Sequence, residues 1–307
     1  MCIRDSINGE DVNVTLWLSE DNSSWKLVNY TICYDCGAER EISFVYKGFT
    51  CADIGTYYFK INATDAHNST DRPSWNFTLD KDDVEIRYEG LATGNETYVD
   101  RFSYTLLRVR IYDTDNDTYV PSGVSGKIWV TRDQVNYDEG ISNTTEESYL
   151  SVFFKPDCSY DVGLQKWKAG TFGDTCYKDV NSTIYLVLYV KGWLNLSIDE
   201  PAGDVVYDYE NVSIKAHVND SCGPAIADAE VWFNITHDST VVVCKAHNEN
   251  NGYYNCSINV TGLPGGYYKV WMNASREYYN YNSTTKQNAF FHEIPPVLSG
   301  EYVIPQE

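Results

Sequence analysis

The amino-acid sequence predicts an all-β protein made of tandem sandwich domains. Apolar and polar residues alternate along segment after segment, which is the pattern of a strand with one face on a core and the other in solvent. Within 212–218, every second residue is apolar. The three-to-four-residue spacing of an amphipathic helix is nearly absent. The length of 307 residues suggests two or three domains, at about 100–150 residues each.

A repeat about as long as one sandwich domain runs through the chain. An apolar strand with a tryptophan at a polar position occurs around Trp17, Trp129 and Trp232, at intervals of roughly one hundred residues. A second landmark follows each of these, at 53–64 in the first copy and at 266–275 in the third. The middle copy, which we place at 157–162, is looser.

These landmarks predict three domains, at 7–84, 85–193 and 194–294. The first domain is expected to lack its opening strands, because its tryptophan lies so close to the start of the chain. Residues 1–6 resemble a translated sequencing adapter and are excluded from the fold argument. Residues 295–307 begin with two prolines and are interpreted as a linker or the start of a further domain.

The segment from Asp53 to Tyr57 resembles the tyrosine corner of immunoglobulin-like sandwiches, in which a tyrosine hydroxyl ties down a corner loop. Phe59 stands where antibody domains have their second core cysteine, so the resemblance is to the broad class. It implies three tandem immunoglobulin-like β-sandwich domains. With its dense glycosylation motifs and many tyrosines, the whole chain resembles archaeal cell-surface glycoproteins.

The chain is rich in Asn-X-Ser/Thr motifs, the acceptors of N-linked sugars in exported proteins. About four would be expected by chance from the composition, and 18 are present. In strands we expect their asparagines on the face left to solvent. The motifs begin at Asn13, Asn22, Asn29, Asn62, Asn68, Asn76, Asn95, Asn116, Asn143, Asn181, Asn195, Asn211, Asn219, Asn234, Asn255, Asn259, Asn273 and Asn282.

Nine cysteines in strand-and-turn sequence favour an oxidising, extracellular location. We expect Cys158 to bond with Cys176, which are the two cysteines of the middle domain. We also expect Cys244 to bond with Cys256, leaving Cys222 over, although Cys222 could instead pair with either of those two. Cys51 is expected to bond with Cys36 or with Cys33.

The formal net charge of −21 argues against a nucleic-acid partner and against contact with an anionic membrane. Metal-binding histidine spacings, nucleophile elbows and phosphate loops are missing from the sequence, so no catalytic residue is proposed and the chain is not expected to be an enzyme. Asp113, Asp115 and Asp117 have a spacing that would suit Ca²⁺, and an ordinary Asp-rich turn is the alternative.

The sequence therefore predicts a structural or stalk segment of an N-glycosylated extracellular protein, with the other domains of the same long chain as its partners. One alternative is an adhesin or carbohydrate-binding module that contacts glycans or surface proteins through outward tryptophans. The other is an accessory region of an extracellular hydrolase. The outward tryptophans are Trp17, Trp129, Trp232 and Trp271.

Overall fold

The computed structural model describes residues 2–3, 11–34, 36 and 40–296. Most of the adapter-like start and most of the segment 295–307 lie outside these residues. The described residues are almost entirely strands and turns, with two short 3₁₀ helices at Cys51–Asp53 and Gly90–Thr93. Among them, no helix is long and apolar enough to cross a membrane.

In its described part, the first domain has one five-stranded antiparallel sheet, with strands in the order β3-β2-β5-β6 and with β7 also paired to β5. Phe49, in the irregular segment 42–50, packs its ring against Tyr57 and Phe77 over the apolar face of this sheet. The strands are β1 (Cys2–Ile3), β2 (Val12–Ser19), β3 (Lys26–Cys33), β4 (Arg40–Glu41), β5 (Gly55–Thr64), β6 (Ser69–Asp71) and β7 (Trp75–Leu79).

The second domain is a two-sheet sandwich. Strands β8, β11 and β14 all pair with β10 in one sheet, and the other sheet has the order β13-β12-β15-β17-β9. Between the sheets lies one apolar core around Trp167, which is fully buried. The strands are β8 (Val84–Arg87), β9 (Thr97–Asp100), β10 (Thr105–Asp113), β11 (Thr118–Tyr119), β12 (Ser125–Val130), β13 (Ile141–Thr144), β14 (Tyr149–Phe154), β15 (Gly163–Thr171), β16 (Val180–Asn181) and β17 (Leu186–Glu200).

The third domain repeats this arrangement, with one sheet in the order β17-β19-β23-β22 and the other in the order β18-β26-β24-β20-β21. The predicted alternation in 212–218 is present, since the four apolar residues of that range are buried and the three polar ones between them are not. The strands are β18 (Asp204–Tyr207), β19 (Asn211–Asp220), β20 (Glu230–His237), β21 (Thr240–Lys245), β22 (His247–Asn248), β23 (Tyr253–Asn259), β24 (Gly266–Ser275), β25 (Tyr279–Asn280) and β26 (Asn282–Glu293).

The predicted fold class, an all-β chain of tandem immunoglobulin-like sandwiches, is therefore confirmed. In both two-sheet domains the last strand pairs in parallel with an early strand. β17 pairs with β9 in the second domain, and β26 pairs with β18 in the third. β17 belongs to both of them: its first half closes the second domain and its second half opens the third. The predicted boundary at 193 lies inside this continuous strand.

At the start of β5 and of the equivalent strand β24, a tyrosine hydroxyl donates a hydrogen bond to the residue four positions earlier. Tyr57, the third residue of β5, donates to the Asp53 carboxylate at 3.3 Å. Tyr268, the third residue of β24, donates to the Pro264 carbonyl at 2.8 Å. Each of these strands opens with a glycine of positive φ, a conformation that glycine adopts at little cost.

Gln165 takes the same position in the second domain. It is the third residue of β15, it is fully buried, and its Nε2 donates to the Asp161 carbonyl at 2.9 Å, again four residues back. The middle landmark that we placed at 157–162 was therefore misaligned. Its tyrosine, Tyr160, bonds to Asp138 instead.

The repeated tryptophans are also not all equivalent. Trp17 pairs across the sheet with Lys60, three residues after the corner tyrosine of its domain, and Trp129 pairs with Lys168, three residues after Gln165. Trp232 instead pairs with Asn273, two residues farther along its strand. Relative to Trp17 and Trp129, Trp232 therefore lies opposite a position two residues farther along the neighbouring strand, on the same face of the sheet.

Candidate functional sites: the domain joints and the outer sheet faces

The joint between the second and third domains is built on continuous backbone. Because β17 is hydrogen-bonded in both domains, the chain crosses the joint without a flexible linker. At its centre, Gly192 pairs with Tyr279 of the third domain. A side-chain carbon on Gly192 would lie 2.6 Å from the Tyr279 ring and 2.8 Å from Val162, so only glycine lets the two domains approach this closely.

A buried ion pair crosses this joint. Arg101, which follows β9 of the second domain, lies with Nη1 2.6 Å from Oδ1 of Asp220, the last residue of β19 in the third domain. Only 6% of either side chain is exposed. Arg101 Nη2 also donates to the Tyr160 carbonyl at 2.8 Å, and Asp220 accepts from the Cys222 amide at 2.6 Å.

The Tyr279 hydroxyl donates to the second oxygen of Asp220 at 2.5 Å. Burial, followed by this hydrogen bond and the negative charge of Asp220, raises the pKa of Tyr279 to about 12. Next to it, Asn280 donates to Asp100 at 2.6 Å, and the Tyr278 ring stacks on that of Tyr189. The Asp220 carboxylate thus ties three separate segments together.

A disulfide bond crosses the same joint, between Cys158 and Cys222. The predicted bond between Cys158 and Cys176 is wrong, and Cys222 is not left over. The reason is that the nine-residue strand β15 runs between Cys158 and Cys176 and holds them about 30 Å apart at opposite ends of the second domain. Each cysteine therefore faces a different neighbouring domain.

The other end of the second domain is joined to the first by a disulfide bond between Cys51 and Cys176. The predicted pairing of Cys51 with Cys36 or Cys33 is therefore wrong as well. Cys33 and Cys36 bond to each other, which their close spacing allows with a Cα–Cα distance of 5.8 Å.

Polar contacts around Cys176 complete this first joint. Asp82 exchanges backbone hydrogen bonds with the segment 176–178. Lys178 Nζ lies 3.3 Å from Asp80 and 2.9 Å from Asp83, and Lys81 donates to the Asp174 carbonyl. These ion pairs are largely in solvent, where water and salt screen them, so their contribution to the joint is small.

Cys244 and Cys256 are bonded within the third domain. They lie on β21 and β23, in different sheets, so this bridge links the two layers of the sandwich. It is the pairing that the sequence analysis placed first.

The structure gives the three aspartates of the proposed calcium site separate partners. Asp113 is buried and accepts from the Asn116 side chain at 2.9 Å, Asp115 accepts from the Asp83 amide, and Asp117 accepts from Tyr112. Within the described residues, no group of three acidic, histidine or cysteine side chains is arranged to hold a metal ion. The geometry corresponds to the Asp-rich turn.

None of the 18 motif asparagines is buried. Ten are exposed and eight are half-buried. The exposed ones are Asn13, Asn22, Asn68, Asn76, Asn116, Asn143, Asn181, Asn195, Asn211 and Asn259. The half-buried ones are Asn29, Asn62, Asn95, Asn219, Asn234, Asn255, Asn273 and Asn282.

Some of these asparagines serve the fold through their side-chain amide. Asn29 donates to the Val45 carbonyl and shares the inner face of the sheet with its partner Leu16, so the expectation that strand asparagines face solvent is wrong at this position. Asn282, the first residue of β26, donates to the Leu194 carbonyl. A sugar at such a site would have to leave these contacts intact.

The four tryptophans predicted to point outward are half-buried. They lie on the outer sheet faces but touch neighbouring side chains. Trp129 packs against Phe172, with Lys168 over its ring at 5.8 Å, and Trp232 has Lys245 over its ring at 5.2 Å. Trp193 and Trp75 are the more exposed tryptophans, at 44% and 46%.

No protein-family model and no curated protein matches this chain. Among solved structures, a tetra-tandem repeat from the extending region of a large adhesion protein is 15% identical, with a TM-score of 0.46, over 92% of this chain and 67% of that one. A three-domain immunoglobulin structure of titin is 13% identical, with a TM-score of 0.46, over 94% of each chain. The bacterial integrin-binding protein invasin is 13% identical, with a TM-score of 0.31, over 66% of this chain and 38% of that one.

Proposed function

We propose that the chain is a rigid spacer segment of an N-glycosylated extracellular protein, of the kind found in cell-surface stalks and surface layers. The observation that carries this proposal is that a disulfide bond crosses each of the two joints between domains. A covalent bridge outside the main chain converts a hinge into a fixed angle. Unlike the bridge between Cys244 and Cys256, which lies within one domain, these two bridges fix one domain against the next.

The second joint supports the same function. The shared strand β17 removes the linker, and the buried contact between Arg101 and Asp220 resists bending in a dry environment. Disulfide bonds persist in oxidising compartments, which supports an extracellular location. The absence of buried motif asparagines leaves room for sugars on the surface. The resemblance to archaeal surface glycoproteins belongs to the same proposal.

Small-angle X-ray scattering of the secreted full chain tests the spacer function. The oxidised protein should give a single maximum dimension that does not change with temperature below unfolding. The variant that combines Cys51→Ser with Cys158→Ser opens both bridges, and we expect a broader distance distribution from it. Opening the bridge between Cys244 and Cys256 is the matched control, because that bridge lies within one domain.

A scattering curve that already requires a wide range of domain angles in the oxidised protein would contradict the spacer function. Glycopeptide mass spectrometry of the same secreted protein tests the surface part of the proposal. We expect sugars at several of the motif asparagines. A protein secreted without any sugar from a host that modifies other proteins would contradict that part.

A further inference from the structure

Tryptophan precedes a glycosylation motif by two residues three times in the third domain. The chain has eight tryptophans and 18 motifs, so less than one such coincidence is expected by chance. The three segments share the pattern Trp-X-Asn-X-Ser/Thr. They begin at Trp193, Trp232 and Trp271 and carry Asn195, Asn234 and Asn273.

All three segments are strands, in β17, β20 and β24. In a strand, residues i and i+2 lie on the same face, about 7 Å apart. The residue between them is fully buried in each case, so each tryptophan and its asparagine share the outer face of a sheet. Each tryptophan and its asparagine are therefore close in space as well as in sequence.

The segments in β20 and β24 lie on neighbouring strands, and the tryptophan of each is opposite the asparagine of the other. Trp232 lies directly opposite Asn273, and Asn234 lies directly opposite Trp271. Directly opposed residues of antiparallel strands have Cβ atoms about 5 Å apart. Each of the two asparagines therefore has one indole beside it on its own strand and another across from it.

The asparagines of these segments are available for modification. The side-chain amides of Asn195, Asn234 and Asn273 make no hydrogen bond with another described residue, in contrast to Asn29 and Asn282. Nothing in the described fold therefore holds the nitrogen that an N-linked sugar would occupy.

The tryptophans are held in place but remain partly open to solvent: Trp232 and Trp271 are half-buried, and Lys245 lies over the Trp232 ring at 5.2 Å. Trp193 is 44% exposed, and Trp232 is fixed at one edge by a hydrogen bond from Nε1 to Glu230 at 3.3 Å. Clusters of large apolar side chains exposed on a sheet mark contact surfaces, and a shield over them removes apolar area from water. In the second domain the chain supplies that shield itself: Trp129 lies against Phe172 and under Gly140, where a Cβ would lie 2.6 Å from the ring.

We propose that Trp193, Trp232 and Trp271 are the platforms on which the innermost sugars of glycans at Asn195, Asn234 and Asn273 lie. This inference rests on the proposed glycosylation. The ligand class is a pyranose linked to the neighbouring asparagine, whose C–H face packs on the electron-rich face of the indole. The glycan then covers the ring, and the ring orders the glycan against the sheet.

The experiment uses the full chain secreted from a glycosylating host. Glycopeptide mass spectrometry first gives the occupancy of the three asparagines. Nuclear Overhauser effects are then measured between indole protons and sugar protons in the unmodified sequence, which needs no variant. We expect such contacts from the first sugar residue at each occupied site.

Thermal unfolding gives the second readout. Trp271→Ala is made in the parent chain and in a chain that also carries Asn234→Gln and Asn273→Gln. We expect the fall in Tm caused by Trp271→Ala to be about 4 °C larger when the glycans are present. Trp129→Ala is the matched control, and its fall in Tm should be the same on both backgrounds.

Occupied sites without indole–sugar contacts, together with equal falls in Tm on the two backgrounds, would overturn this inference while leaving the proposed function standing. Finding all three asparagines unmodified, with sugars at other motifs, would overturn the inference alone. Finding no sugar anywhere on the chain would overturn both.

Discussion

Arg101 Nη1 and Asp220 Oδ1 lie 2.6 Å apart across the joint between the second and third domains, with 6% of each side chain exposed. The pair is a buried, charged contact between the two domains. Both charged groups are buried away from water. Their hydrogen bonds therefore come from each other, from the Tyr160 carbonyl and from the Tyr279 hydroxyl. A change in the domain angle would separate them and leave a charge unpaired.

Arg101→Ala is therefore expected to destabilise the joint by about 3–5 kcal/mol, because it leaves the Asp220 carboxylate buried without its cation. Hydrogen exchange of the amides in β9 and β19 measures this directly. Asp220→Ala should have a similar effect, and the double variant should cost less than the sum of the two single variants.

The exposed pair between Lys245 and Glu230, with 59% and 54% of the side chains in solvent, is the control. Lys245→Ala should cost much less than Arg101→Ala, because water and salt screen an exposed ion pair. If Arg101→Ala costs no more than Lys245→Ala, the buried pair does not hold the joint.

The two bridges between domains overlap along the chain, and this predicts a mechanical signature. Cys51 to Cys176 spans 125 residues and Cys158 to Cys222 spans 64 residues. Under tension the covalent path from Cys51 to Cys222 runs only through the short segment 158–176. In single-molecule stretching, these two bridges should therefore shorten the oxidised chain by about 550 Å of contour length relative to the reduced chain, at about 3.6 Å per residue.

Each bridge is also expected to stabilise the folded chain by about 4–5 kcal/mol on the loop-entropy model. The variant Cys158→Ser opens the bridge to Cys222. Its oxidised chain should therefore stretch farther, by the length of the residues that only this bridge shields from tension. Equal contour lengths before and after reduction would mean that the bridges between domains do not form.

The fold could be predicted from the sequence because alternation is a local signal. In β19 the identity of every second residue is enough to assign the buried face. Gln165 could not be recognised as the counterpart of Tyr57 and Tyr268 in its own domain. Its amide makes the equivalent hydrogen bond to the residue four positions earlier, but an amide and a phenol are not chemically similar. The shared geometry appears only when the strands are aligned by their first glycine.

The joints were harder to predict for a physical reason. Cys158 and Cys176 are close in sequence, and loop closure favours close partners, but a full strand lies between them. Arg101 and Asp220 are 119 residues apart and carry no motif. The one available signal was that the expected bond between Cys244 and Cys256 left Cys222 over, since an odd cysteine in a disulfide-bonded domain indicates a partner elsewhere.

Alkaline pH should loosen the second joint. The pKa of Tyr279 is raised to about 12 in the folded chain, against about 10 in an unfolded chain. The unfolded chain therefore loses this proton first, so the stabilisation is complete below pH about 10 and is lost as the pH rises through 12. Burial also raises the pKa of Tyr177 to about 12, near the first joint.

Unfolding midpoints in denaturant, measured between pH 8 and 12, check this. Tyr279→Phe should be less stable at pH 8 because it loses the hydrogen bond to Asp220, and its stability should fall less between pH 10 and 12. Parallel curves for the two proteins would contradict the role of Tyr279.

Gln165 provides the last prediction, because its side chain satisfies three partners inside the second domain. Nε2 donates to the Asp161 carbonyl, and Oε1 accepts from Thr131 Oγ1 at 2.8 Å and from the Gln134 amide at 3.0 Å. Gln165→Ala leaves these groups without partners in a buried site, which should cost about 3 kcal/mol.

Tyr268→Phe at the equivalent position of the third domain removes a single hydrogen bond and should cost about 1 kcal/mol. Hydrogen exchange resolves the two domains, with β12 and β15 reporting on the first change and β20 and β24 on the second. A Gln165→Ala variant that loses no more than the Tyr268→Phe variant would mean that water replaces the amide, and that the corner is held by its backbone alone.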